Sequence, residues 1–165
     1  MSEPPILYPG KIKLVRPTVY PIGSQYGEKS KYWLRHLNDK GEWVNGQDKD
    51  GNGAHRGYDF LTPIGADVRA VYDGFIIKAG QENQEDIKVG FGLRIVQMIV
   101  IDGKTYSIFY GHLSELAPDS LTAGKVRAGQ LIAKSGNSGR SSGPHLHVEA
   151  RDLNQTSIPI EWSMI

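Results

Sequence analysis

Short runs of apolar residues, separated by Gly-bearing turns, organise most of this chain. Val68 and Ala70, then Phe75, Ile76 and Ile77 beyond Asp73-Gly74, predict two short strands around a turn. Leu93 to Ile101 is the densest apolar run, and Asp102-Gly103 is a strong hairpin signal before Thr105 to Tyr110 resumes the strand. Val126, Leu131 and Ile132 flank Ala128-Gly129, while Gly136-Asn137-Ser138-Gly139 reads as a loop. Leu146, Val148 and Ala150 alternate with His145, His147 and Glu149, which predicts a strand with one apolar and one polar face. No long stretch of helical period is present, and Ser114 to Leu121 has room for one helical turn. The expected fold is mainly β: a small antiparallel sheet or open, barrel-like sandwich, with long loops forming a cleft and little helix.

Residues 1–16 are Pro-rich and then briefly alternating, so they read as an N-terminal extension carrying an edge strand at best. Residues 17–165 read as a single domain. Within it, 28–54 is expected to be a long polar loop that walls the cleft and sets substrate choice, with Trp33 and Trp43 as packing anchors rather than sugar-stacking platforms.

Composition narrows the possibilities. A length of 165 residues suits one self-sufficient core. The 20 glycines exceed ordinary usage of about 7% and favour many tight turns over a helical bundle. A net charge of +1 gives no basic footprint for nucleic acid. Zero cysteines exclude a disulfide scaffold, a Cys-based metal site and a thiol nucleophile. Ile6-Leu7-Tyr8 is too short for a secretory core, so no signal peptide is expected. No apolar run approaches the ~18 residues of a membrane span. A soluble protein, exported by some other route if at all, is the expectation.

Chemistry concentrates in five histidines: His36, His55, His112, His145 and His147. His55 and Asp59 form H-x-x-x-D, and neighbouring Gly53, Gly57 and Pro63 favour a strand-borne pair over a helical one. His145 and His147 form H-x-H, whose rings share one face of a strand, so that one can bind a metal while the other stands beside it. Each motif is weak alone; His36 has no partner motif and reads as a surface residue. Asp48 to Gly53, with Asp59 beyond, imitates a calcium loop, but no helical periodicity flanks it and a solvated turn is expected. The Gly136–Gly143 stretch imitates a phosphate loop without its Lys or helix and is expected to form a cleft wall. Tyr106 and Tyr110 are read as packing residues.

Taken together, HRGYDFLTPIGADVRAVYDGFIIKAG, GLRIVQMIVIDGKTYSIFYGHLSEL and VRAGQLIAKSGNSGRSSGPHLHVEAR resemble the lysostaphin/LytM-type zinc metallopeptidases, enzymes that cut peptide bonds in peptidoglycan. Pro21 to Gly27 resembles that family's opening strand, so the resemblance covers about 17–151. It implies one Zn²⁺ per chain held by His55, Asp59 and His147, with His112 and His145 as catalytic histidines whose individual roles stay open. It implies a peptidoglycan peptide as substrate and the bacterial cell wall or periplasm as the place of action, with a phage lysing or entering its host as one user. Two alternatives compete: a non-catalytic binding or activator module of the same family, and a biotinyl/lipoyl-like β-barrel carrier suggested by DGFIIKAG and VRAGQLIAKSG. The first should have lost ligands, and the second needs an exposed turn lysine that this chain lacks. The scissile bond and the oligomeric state are not legible.

Overall fold

Strands account for nearly all regular structure in the computed structural model, which describes residues 11–118 and 124–163. In chain order they are β1 (Ile12–Val15), β2 (Ile22–Ser24), β3 (Lys29–Ser30), β4 (Arg35–Leu37), β5 (Trp43–Asn45), β6 (Gly53–Ala54), β7 (Tyr58–Phe60) and β8 (Asp67–Arg69). There follow β9 (Gly74–Gln81), β10 (Leu93–Ile101), β11 (Lys104–Leu116), β12 (Lys125–Val126), β13 (Leu131–Ser135), β14 (Leu146–Arg151), β15 (Ser157–Ile158) and β16 (Ile160–Ser163).

The main sheet runs β12-β9-β10-β11-β14-β7-β2, with β13 bridging β11 to β8 and β15 joined to β14. It stays open, so the DGFIIKAG and VRAGQLIAKSG segments are sheet strands and not halves of a closed carrier barrel. The β10–β11 hairpin turns at the expected place: Asp102 and Gly103 both adopt left-handed backbone, φ 51° and 79°, as a tight turn of this hand requires. The two strands expected around Asp73-Gly74 both form, yet they do not pair: β8 joins β13, and β9 joins β10 and β12.

Ile95, Ile99, Ile108, Leu146, Val148 and Ala150 fill the core from the three central strands, joined by Phe60, Ile132 and Ile158. Gln97 interrupts the apolar run of β10, and its burial is compensated: Tyr110 Oη–H donates to its Oε1 and its Nε2 donates to Tyr72 O. The Tyr110 hydroxyl in turn accepts from Val71 N–H, so this phenol serves packing, as expected.

Three expectations need correction. Residues 28–54 are not a plain loop. β3 pairs β6 and β4 pairs β5, two small antiparallel ribbons whose hydrogen bonds satisfy a polar backbone that would otherwise lie unpaired. β11 continues through Leu116 where a helical turn was expected, because Glu115 and Leu116 find partners on β13; Pro118 is helical, and 119–123 lie outside the described residues. The polar face of β14 is also buried, since His147 and Glu149 lie under other elements of the fold.

The expected edge strand of the N-terminal segment forms, and it is buried; residues 1–10 lie outside the described residues. β1 pairs in parallel with β16, and Ile12 and Leu14 enter the core. Leu14 is 1% exposed, so Leu14→Ala should cost about 2–5 kcal/mol of unfolding free energy. Urea unfolding followed by circular dichroism measures this, and a loss below about 0.5 kcal/mol, the range of ordinary surface changes, would mean that β1 is peripheral.

Candidate metal centre

Asp59 lies in β7 and His147 in β14, and the two strands pair so that these residues are direct cross-strand partners. Cross-strand partners on one face bring their side chains together. His55 arrives from the bend between β6 and β7, not from a strand as the H-x-x-x-D spacing suggested. Here the chain crosses close over β14, and a side chain on Gly57 would lie 2.5 Å from Val148 O and 2.9 Å from the His147 ring.

Three donor atoms converge. His147 Nδ1 is 2.9 Å from Asp59 Oδ1, His55 Nε2 is 3.3 Å from the same oxygen, and the two nitrogens are 3.2 Å apart. Ligands ~2.0–2.1 Å from a tetrahedral zinc ion stand ~3.3 Å from one another, so this spacing fits a metal of that size. The opposite atoms of both rings are already engaged. Ser24 Oγ–H donates to Glu28 Oε2 at 2.7 Å, so its oxygen accepts His55 Nδ1–H at 3.0 Å, leaving the His55 Nε2 lone pair directed inward. His147 Nε2 lies 2.9 Å from Glu149 Oε1, which suits Nε2–H donation and leaves Nδ1 for a metal. Two imidazoles and a carboxylate, each oriented from behind, could therefore hold one ion.

His112 and His145 stand beside this group, their ring centroids 4.6 Å apart. Each ties Nδ1 to a backbone carbonyl: His112 to Ser138 O at 2.7 Å, His145 to Gly143 O at 2.8 Å. That tautomer leaves Nε2 unprotonated in each neutral ring, and His145 Nε2 lies 3.6 Å from Asp59 Oδ1. Burial, reinforced by the electrostatic influence of His145 and His147, pushes the His112 pKa down to about 4, so it is neutral at pH 7. His112 also occupies left-handed backbone, φ 62°, where β11 bulges between its pairings to β10. The bulge turns this side chain toward the cleft and stores local strain. His36 lies in β4, away from this centre, with Nδ1 2.9 Å from Gly46 O.

Electrostatics follows from burial opposed by pairing. Burial alone would raise the Asp59 and Glu149 pKa values, but the hydrogen bond with His147 and the closeness of the His55 ring hold Asp59 well below the carboxylate range. Glu149 is held down by His147 together with Arg151 and Arg56. Burial likewise opposes charge on His147, yet the Asp59 and Glu149 carboxylates raise its pKa to about 9 in the metal-free centre.

Glu149 went unassigned in the sequence, although the signal was there: it lies two residues beyond His147, on the same strand face. Its Oε2 accepts from Arg151 Nε at 2.6 Å and Ser157 Oγ at 3.0 Å, with Arg56 Nε at 3.7 Å. Ser24 could not have been found from spacing, because only the β2–β7 pairing brings it opposite Asp59. Trp33 lies flat on the His55 ring, while Trp43 packs edge-on to Tyr26 and donates to Ser157 O, an anchor as expected.

The histidines open into a cleft of about 950 Å³. Tyr32, Trp33 and Leu34 line it, as do Arg140, Ser142 and Gly143, so part of the Gly136–Gly143 stretch does line the cleft. Asp48 makes a solvated turn, accepting from Asp50 N–H and Asn52 N–H through Oδ1.

Glu149→Gln should destabilise the metal-free protein by about 3–5 kcal/mol, because Arg56 and Arg151 lose the charge they are buried against. Denaturant unfolding at pH 7 measures it. The difference should shrink in acid, since a depressed carboxylate pKa stabilises the fold above the unfolded value of ~4.3 and is lost as Glu149 protonates.

A sequence profile of Peptidase family M23 matches residues 53–159, which include all four histidines of the site and Asp59. The DD-carboxypeptidase/endopeptidase Mpg of Neisseria meningitidis is 37% identical over 110 residues, 67% of this chain and 23% of Mpg. The peptidoglycan DD-endopeptidase ShyA of Vibrio cholerae is 32% identical over 130 residues, 79% of this chain and 26% of ShyA. Among solved structures, the catalytic domain of lysostaphin from Staphylococcus simulans superposes with a TM-score of 0.55 at 31% identity, covering 81% of this chain and 88% of that domain. The chain spans about a quarter of the length of the curated relatives Mpg and ShyA.

Proposed function

The chain belongs to peptidase family M23, and on that premise we propose that it is a zinc-dependent endopeptidase that hydrolyses peptide bonds of bacterial cell-wall peptidoglycan. One observation carries the reading: three donor atoms of His55, Asp59 and His147 lie 2.9–3.3 Å apart, with both ring nitrogens on the far side already bonded. The chemistry of that set, two neutral imidazoles and one carboxylate, is that of an open hydrolytic zinc site.

The ligands would be His55 through Nε2, Asp59 through Oδ1 and His147 through Nδ1. A zinc ion held there supplies a Lewis acid for the scissile carbonyl and makes water acidic enough to attack near neutral pH. His112 and His145 divide the remaining tasks. With Nδ1–H held by a carbonyl, an Nε2 lone pair can take the proton of the attacking water, and once protonated that Nε2–H can donate to the leaving amine. The second ring, if protonated at Nε2, donates a hydrogen bond to the oxyanion that develops on the carbonyl. Phe91 and Trp33 lie against His147 and His55 and shield those rings from water, which strengthens each charge interaction within. The extended cleft beside the histidines suits a peptide strand, and the cell wall or periplasm is the place where such a substrate is met.

Metal content and turnover on purified peptidoglycan, measured together, test the assignment. Wild type should carry one zinc per chain and lose activity to chelators. His147→Ala should lose both zinc and activity, because two remaining ligands hold the ion poorly. His112→Ala and His145→Ala should keep zinc yet slow turnover by roughly 10²–10⁴-fold. If His145→Ala sheds zinc while His147→Ala retains it, the ligand and catalytic roles are reversed.

A further inference from the structure

Zinc-ligand rings need restraint about two axes. Hydrogen bonding to the far nitrogen fixes the direction of the lone pair, but the ring can still roll about that axis unless something flat lies against its face. For His147, Glu149 supplies the hydrogen bond and Phe91 lies against the face, with centroids 5.4 Å apart and planes at 28°. For His55, Ser24 supplies the hydrogen bond, and the flat contact comes from Trp33, closer and more nearly parallel: 4.4 Å between centroids and 11° between planes.

Trp33 is itself held. Its carbonyl accepts from Gln47 Nε2 at 3.3 Å, and its peptide passes so close to Gly53 that a side chain there would meet Trp33 O at 2.2 Å. Tyr32 meets its indole edge-on at 4.7 Å. The Arg140 guanidinium lies over the Tyr32 ring, 4.2 Å from its centroid, and both residues line the cleft. A run of contacts thus leads from Arg140 through Tyr32 and Trp33 to His55.

From this geometry we infer that Trp33 is a positioning residue of the metal centre, acting through the face of His55, so that the 28–54 segment does more than wall the cleft. The inference rests on the ligand assignment proposed above. Outer contacts that orient metal-binding histidines typically contribute 10–100-fold in metal affinity. Trp33 restrains the same ring by stacking, so its replacement should act on zinc retention before it acts on the chemistry.

The test is zinc affinity, measured by competition with a chromogenic chelator, beside the melting temperature of each zinc-free protein. Trp33→Leu keeps an apolar filler without a flat face, and should weaken zinc binding at least about tenfold. Trp33→Phe restores a flat ring and should recover most of that loss. Trp43→Phe alters the other tryptophan of the segment, which does not touch His55, and should leave zinc affinity unchanged. Zinc-free melting temperatures of Trp33→Leu and Trp33→Phe should lie close together, since both fill the space. Equal zinc affinity in wild type and Trp33→Leu would overturn the inference. So would an equal loss in Trp33→Phe and Trp33→Leu, or a comparable loss in Trp43→Phe, because the effect would then belong to the segment and not to the stacked face. Wild type that fails to take up one zinc would instead overturn the ligand assignment beneath it, an outcome readable without any variant.

Discussion

Direct pairing of Asp59 with His147 across β7 and β14 is the constraint on which the rest of the site depends. Register in a sheet moves in whole residues, and a slip by one would carry either side chain to the opposite face. That register is secured by the apolar face of the same strand. Leu146 and Val148 flank His147 and lie wholly within the core, so hydrophobic burial on one face of β14 decides where the imidazole stands on the other.

Convergence of three electron-rich atoms within about 3.3 Å would be unfavourable in a dry setting without a proton or a cation among them. The fold manages this through partners behind the donors. Ser24 and Glu149 fix which nitrogen of each ring is free, and Arg56, Arg151 and Ser157 neutralise or satisfy Glu149 in turn. His147 bridges two carboxylates, which is why its pKa rises to about 9 despite burial. Burial, with His145 and His147 acting in the same direction, makes the neighbouring His112 hard to protonate, and Asp59 offsets only part of this. Opposite shifts on two histidines about 6 Å apart therefore arise because His147 is paired with two carboxylates, whereas His112, placed by the bulge in β11, is buried with a backbone carbonyl as its hydrogen-bond partner.

The cleft walls are built on different terms from its floor. The floor is sheet, with register enforced by the core. The walls are ribbons and loops joined by local contacts, among them the Arg140–Tyr32 stack and the close backbone approach of Gly92 to Gly139. Loops carried on a rigid sheet are where substrate choice is ordinarily set. In this chain one wall also touches the metal centre, through Trp33.

Much of this was legible in the sequence because it rests on local rules. Alternation in 146–151, the Asp102-Gly103 turn and the apolar run of 93–101 depend on strand period and turn backbone, which neighbouring residues decide. The five candidate residues that the fold gathers at the cleft were legible as well, through motifs whose combined resemblance to a family exceeded the weight of any one. Other features depended on contacts far apart in the chain. Ser24 reaches His55 across 31 positions, and Glu149 reaches Arg56 across more than 90, distances at which spacing carries no information. The ribbons of 28–54 were hidden because polar strands of two or three residues lack a hydrophobic period, and the pairing of β1 because its partner β16 lies at the other end of the chain. Sequence by itself determined the central strands, the main turn and which residues were candidates for the chemistry. Tertiary structure alone decided which nitrogen of each histidine faces inward, because that choice belongs to the group bonded behind the ring.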